Sequence, residues 1–195
     1  LDVHPDFADR VADAIRTLDL VGVNLTVPFK ERVLPFLDRS TVATQEAGAV
    51  NVVTAVEGTL TGYNTDGEGF VRSLAEEQGP KLHGCEVVVL GAGGAARAIA
   101  STLMDRGVKS LTLLNRTLAR AEKAAQSLPG TVNVGPLTPA SFAQLAPKSQ
   151  LVINCTSGPA EALVGALDPS KLCAGASWVD INYWMPSPPL KAECE

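Results

Sequence analysis

The stretch that most constrains how this 195-residue chain can fold is Val87-Val-Val-Leu-Gly91-Ala-Gly93-Gly94-Ala-Ala96-Arg97. An apolar run stopped by glycine predicts a buried strand over Glu86–Leu90, and the alanine-rich segment that follows predicts a helix over Gly94–Asp105. Between them the spacing fits G-x-G-x-x-G/A through Gly91, Gly93 and Ala96. Gly91 permits the tight turn, Gly93 leaves room for a pyrophosphate against the backbone, and Ala96 lets helix and strand pack closely. The start of such a helix presents unpaired N–H groups and the positive end of its dipole, so an anion is favoured there. In this strand–turn–helix setting Gly91, Ala92, Gly93, Gly94 and Ala95 read as a dinucleotide-binding loop. The bland alternative is a glycine-rich turn that binds nothing.

The end of the next strand selects the cofactor. Where an NAD site carries an acid for the ribose 2′-hydroxyl, this chain has Asn115-Arg116-Thr117, with Arg120 one helical turn further on. Two guanidinium groups suit a 2′-phosphate, which they grip bidentately, whereas a carboxylate would repel it. The reading is therefore NADP(H) rather than NAD, against the alternative of a solvated arginine pair on a surface helix.

Downstream the alternation continues. Strands are expected at Ser110–Leu114, Val132–Val134, Leu151–Asn154 and Trp178–Ile181, and helices at Thr117–Leu128 and Pro139–Ala146 with Thr138 as N-cap. Apolar strands separated by helices indicate a parallel sheet covered on both faces. Upstream of Gln78-Gly79-Pro80 the texture differs. A helix over 5–20 is expected to bury Phe7, Val11, Ala14, Ile15 and Leu18, followed by a strand over Val21–Val27 and short helices over Pro28–Leu37 and Thr41–Ala47. A hairpin pairs Ala49–Val56 with Thr59–Gly62 around Glu57-Gly58, and a helix covers Gly67–Gln78. The chain is expected to be α/β with one unit over residues 1–80 and a second over 81–182, while 183–195 begins a return to the first.

Composition removes several classes. An apolar content of 46% with 19% charged residues supports a packed core rather than disorder. The net charge of −5, with no basic tract, argues against nucleic acid and anionic membrane as partners. No apolar run approaches the roughly 18 residues of a membrane span. Four cysteines without a CxxC pair and only two histidines supply no zinc set, so no metal is expected. They read as buried or idle thiols of a cytoplasmic protein.

A second dense motif is Asn24-Leu-Thr26-Val-Pro28-Phe-Lys30. Alternation of Asn24 and Thr26 with Val23, Leu25 and Val27 puts the polar groups, Lys30 included, on one face of the expected strand. By pattern alone that is a half-exposed strand, and Asn64-Thr-Asp66-Gly67 alone is a turn with a helix cap. Their company changes the reading. Asn24-x-Thr26-x-Pro28-x-Lys30, Gly48-Ala-Val-Asn51, Asn64-Thr-Asp66-Gly67-x-Gly69-Phe70, the glycine loop and Asn115-Arg116-Thr117 follow one another in an order and spacing that resembles the shikimate dehydrogenase family over nearly the whole chain.

The resemblance implies a Rossmann-like NADP-binding domain joined to a partial α/β catalytic domain, and reversible NADPH-dependent reduction of 3-dehydroshikimate to shikimate. Lys30 and Asp66 resemble that family's catalytic pair. Asn24, Thr26, Asn51 and Tyr183 resemble its substrate-binding groups. Asn115, Arg116, Thr117 and Arg120 resemble its adenosine-phosphate clamp, and Asn154-Cys155-Thr156 its loop near the nicotinamide. A small-molecule substrate is the implied partner, and the oligomeric state is not readable. Quinate or aminoshikimate would suit the same Lys–Asp pair, and a non-catalytic ligand-sensing homologue is the alternative of a different class.

The chain departs from the family pattern at Met185 and Pro188, where Pro and Thr are usual, and Gly158 arrives one residue early. The family's opening strand with its Ser-x-Ser segment and its closing glutamine-bearing helix find no counterpart. The expectation is that these 195 residues are part of a longer chain.

Overall fold

The computed structural model describes residues 3–182. The expected substrate residue Tyr183, and the expected return over 183–195, lie outside the described residues.

The first unit opens with a 3-10 segment, Pro5–Arg10, leading into helix α1 (Val11–Thr17). Strand β1 (Gly22–Asn24) is followed by the short helix α2 (Phe29–Arg32), a 3-10 turn at Leu34–Phe36 and the two-residue strand β2 (Arg39–Ser40). Helix α3 (Val42–Ala47) is capped by the Thr41 hydroxyl, which accepts from the Thr44 backbone N–H. Strands β3 (Val52–Val56) and β4 (Thr59–Tyr63) form the expected hairpin, whose Glu57 and Gly58 both take positive φ as a two-residue turn demands. The sheet order is β1-β3-β4-β2, so β1 is an edge strand. Helix α4 (Asp66–Glu76) leaves the hairpin toward the second unit.

That unit is a doubly wound sheet. Strands β5 (Glu86–Leu90), β6 (Ser110–Asn115), β7 (Asn133–Pro136), β8 (Leu151–Asn154) and β9 (Ser177–Asp180) are all parallel, in the order β7-β6-β5-β8-β9. The chain runs outward from β5 to β7 and then returns to the other side of β5, creating a switch point at the carboxyl ends of β5 and β8, where this architecture binds ligands. Period 2 sends alternate side chains to opposite faces. Val87, Val89, Leu111, Leu113, Leu151 and Ile153 pack with Ile99 and Leu103 of helix α5 (Gly94–Asp105) and Ala121 of helix α6 (Leu118–Ser127). On the opposite face Val88, Leu90, Leu114 and Val152 meet Phe142 of helix α7 (Pro139–Leu145) and Val164 of helix α8 (Glu161–Val164). Helix α4 contributes Val71 and Leu74 to the first of these clusters, so it packs into the core of the second unit.

Two local expectations are corrected. The strand expected over Val21–Val27 is only three residues long, because after Leu25 the chain turns into α2, and the Phe29 N–H bonds the Thr26 carbonyl. Lys30 therefore sits on a helix and does not share a strand face with Asn24 and Thr26. The helix expected over 5–20 is kinked at Phe7 and buries Ala8, Ala12 and Ile15, leaving Phe7 and Leu18 about half exposed. The kink rotates the apolar stripe away from the one a single straight helix would present.

Candidate active site

The glycine loop has the geometry its sequence requires. Gly91 takes φ +109°, and a Cβ there would lie 2.9 Å from the Cys155 carbonyl oxygen, so the β8 loop passes directly over it. A Cβ at Gly93 would meet nothing within 4 Å, so the space beside the loop is open there. Ala96 is fully buried beneath it. No side chain caps α5, so the N–H groups of its first turn are available to an anion.

Gly91, Ala92, Gly93, Asn115, Arg116, Thr117, Arg120, Cys155 and Thr156 line one cavity of about 170 Å³. Neither Arg116 nor Arg120 makes an ion pair with the described residues, whose bridges lie elsewhere. Asn115 donates its amide to the Thr117 carbonyl (2.8 Å) and shapes the turn that carries the arginines. Asn154 is fully buried and does not face the cavity. Its Nδ2 donates to Asp180 Oδ2 (2.7 Å), while its Oδ1 accepts from the backbone N–H and hydroxyl of Thr156 (3.1 and 2.7 Å). The loop over Gly91 is thus held by a buried polar network that reaches β9. Beside this network, desolvation of the half-buried Cys155 thiol pushes it above its ordinary range, and the Asp180 charge adds to the shift.

In the first unit three of the expected residues converge. Lys30 Nζ donates to Asp66 Oδ2 at 2.8 Å, with both side chains 23% exposed. Asn51 Nδ2 donates to the other carboxylate oxygen, Oδ1, also at 2.8 Å, and Asn51 Oδ1 accepts from the Thr65 N–H (3.0 Å). Asn64 Oδ1 accepts from the Asp66 N–H (3.0 Å), fixing the start of α4. Both oxygens of Asp66 are therefore committed, and its carboxylate is held rigidly against the ammonium. Lys30, Glu31, Val27 and Pro28 share a cavity of about 320 Å³ with Gly94 and Ala95 of the glycine loop. Lys30 and the start of the dinucleotide helix thus border one cleft.

Asn24 and Thr26 stand apart from this cluster. Both are exposed and line a neighbouring cavity of about 500 Å³ with Val23, Leu25 and Phe29. Neither hydrogen-bonds to the Lys30–Asp66 pair among the described contacts. Two residues not singled out from the sequence also belong to the site. Asp180 anchors Asn154, and its place at the end of a short apolar strand was the available signal. Arg97 reaches from α5 to Glu31, and its i+4 offset from Gly93 was the clue. Among the described residues no group of metal-ligating side chains is found, and no helix is long and apolar enough to cross a membrane.

A parallel sheet wound on both faces, a glycine loop at its switch point and a Lys–Asp pair whose lysine lines a cavity with that loop define a two-unit, dinucleotide-binding α/β protein. Residues 73–181 match the family described as shikimate / quinate 5-dehydrogenase, and residues 1–53 match the shikimate dehydrogenase substrate binding domain. A relative from Geobacter metallireducens, named shikimate dehydrogenase (NADP(+)), is 39% identical over 194 residues, covering 96% of this chain and 68% of its own. Shikimate 5-dehydrogenase from Thermus thermophilus, solved with NADP(H) and shikimate, superposes with a TM-score of 0.76 at 33% identity, over 93% of this chain and 66% of that one. The Listeria monocytogenes enzyme, solved with shikimate and NAD, gives 0.84 at 26% identity, over 97% and 69%. The chain belongs to the shikimate / quinate 5-dehydrogenase family of oxidoreductases, and it spans about two thirds of the length of these relatives.

Proposed function

We propose that this chain carries the active site for reversible reduction of 3-dehydroshikimate to shikimate with NADP(H), and that Lys30 and Asp66 are its acid–base pair. The observation that supports this best is the Lys30–Asp66–Asn51 cluster, whose Lys30 lines the same cleft as Gly94 and Ala95. Bound NADPH supplies the hydride. Arg116 and Arg120 suit its 2′-phosphate, and the uncapped start of α5 suits the pyrophosphate.

Hydride delivery to a ketone builds charge on the carbonyl oxygen, which a donor within about 3 Å must neutralise. An ammonium has three N–H donors. One of those on Lys30 is engaged by Asp66, leaving the others for substrate, and the proton passes from Nζ to the developing alkoxide. In the oxidative direction the neutral amine accepts it back. Asp66 keeps the ammonium aimed, and Asn51 keeps Asp66 aimed. Held at both oxygens, the carboxylate cannot rotate to follow the lysine, so the pair is preorganised before substrate arrives.

NADPH oxidation by the full-length protein should proceed with 3-dehydroshikimate and should exceed that with quinate-type and aminoshikimate-type ketones or with NADH. Lys30→Ala should lower turnover by about two to four decades, with NADPH affinity nearly unchanged. NADPH binding without turnover of any cyclohexane acid would reverse the reading in favour of a ligand-sensing homologue.

A further inference from the structure

Arg97 lies one residue beyond the glycine fingerprint, in the first turn of α5, where its N–H bonds the Gly93 carbonyl (3.0 Å). Its side chain turns away from the cofactor cavity and enters the first unit, only 16% exposed. There Nη2 donates to Glu31 Oε1 at 3.0 Å and to the Gly48 carbonyl at 3.4 Å, while Nε is buried without a partner among the described residues. Gly48 is shaped to receive it. Its φ of +58° closes α3, and a Cβ at that position would run into the guanidinium.

Both contacts lead directly to the chemistry. Glu31 adjoins Lys30 on α2. Gly48 lies three residues before Asn51, and the Val50 N–H between them bonds the Lys30 carbonyl (2.8 Å). A Cβ on Gly94 would come within 2.9 Å of Ala49 Cβ, so the dinucleotide helix and the Asn51 segment are in close approach at this point. One guanidinium therefore spans the start of the dinucleotide helix, the helix bearing Lys30 and the turn leading to Asn51.

We propose that Arg97 is a positioning residue that sets the spacing between the cofactor platform and the Lys30–Asp66 pair. It touches neither the reacting atoms nor the pyrophosphate side of the loop. Its contribution is geometric, and geometry matters steeply here, since a misplacement of about 1 Å can cost on the order of a hundredfold in rate. The inference rests on the proposed roles of Lys30 and Asp66.

In the full-length protein Arg97→Met should lower kcat by about tenfold to a hundredfold, with the NADPH dissociation constant and the KM for 3-dehydroshikimate within about twofold. The primary isotope effect with nicotinamide-deuterated NADPH should rise, because hydride transfer becomes rate-limiting. Arg97→Lys, which keeps the charge but loses the fork, should recover part of kcat, and Glu31→Gln should show a smaller loss of the same kind. A purely structural role would lower the melting temperature and leave the isotope effect unmoved in the folded fraction. Wild-type kcat and isotope effect in Arg97→Met, or in Glu31→Gln and Arg97→Lys if the methionine variant does not fold, would overturn the proposal. If Lys30→Ala is inactive in the same assay, that result rejects only the role of Arg97; an active Lys30→Ala rejects the acid–base reading itself.

Discussion

The two halves of the molecule solve the burial problem differently. The second unit has a sheet packed on both faces, with Leu111, Leu113, Leu114, Leu151 and Ile153 all at or near zero exposure. The first unit has a smaller cluster built on Ile15, Val33, Val50, Val53 and Leu60. It also carries nearly all the exposed large apolar side chains among the described residues: Phe7, Leu18, Val21, Val27, Phe36, Val42, Val56 and Tyr63, against Leu118 alone in the second. Where packing is thin, polar ties stand in. Asp38 Oδ2 accepts from the Leu60 N–H (2.7 Å) and from Arg16 Nη2 (2.8 Å), and Arg16 Nε donates to the Gly58 carbonyl (3.1 Å), joining α1 to the hairpin. The proposed acid–base pair sits in this lightly packed half, and the platform for the cofactor sits in the densely packed one. The contacts between them run through α3, α4, α5 and Arg97, and on the proposed roles these contacts align the pair with the cofactor.

If this contrast is right, deleting core volume in the second unit should be the most damaging change to stability. Leu113→Ala should cost about 2–5 kcal/mol, read as a lower urea midpoint; a loss below about 1 kcal/mol would break the comparison. Next in size, Arg116→Gln should weaken NADPH binding by about tenfold to a hundredfold, the range of a charge-assisted hydrogen bond. NADH binding and the melting temperature should barely change, and an equal loss for both nicotinamides would detach Arg116 from the 2′-phosphate. The smallest effect concerns the polar ties. The Leu60 N–H and the Arg16 guanidinium hold the Asp38 carboxyl below the usual carboxylate range. A depressed carboxyl stabilises the fold above its unfolded value of about 3.9, and that contribution fades as pH falls through the lower folded value. Asp38→Asn should therefore flatten the acid limb of the stability curve, and an unchanged limb would show that the tie carries no weight.

The same contrast governs what could be read in advance. In the second unit the strands over Glu86–Leu90 and Leu151–Asn154 and the helix over Gly94–Asp105 appear with the expected bounds. Near-continuous apolar strands in a fully covered sheet leave little ambiguity. The short segments after Gly158, with α8 and its flanking 3-10 turns, had no periodicity to reveal them. In the first unit the hairpin was legible because Glu57-Gly58 announces its turn. The Asn24–Lys30 segment was not, since its alternation imitates a strand while the backbone turns at Thr26 to start α2. The kinked 5–20 helix failed for a related reason: a stripe drawn on an ideal helix shifts when one residue leaves helical geometry.

From local residue chemistry alone the chain determined its doubly wound half, the glycine turn and the arginine pair that follows β6. Those features depend on neighbours a few positions apart, where periodicity, capping and backbone sterics act directly. The meeting of Lys30 with Asp66, of Asn51 with both Asp66 and Thr65, and of Arg97 with Glu31 spans separations of 36, 15, 14 and 66 residues. Family resemblance anticipated the first of these; no spacing or propensity did. Only tertiary structure could decide them, because contacts of that range are set by how α4 and α3 pack against α5.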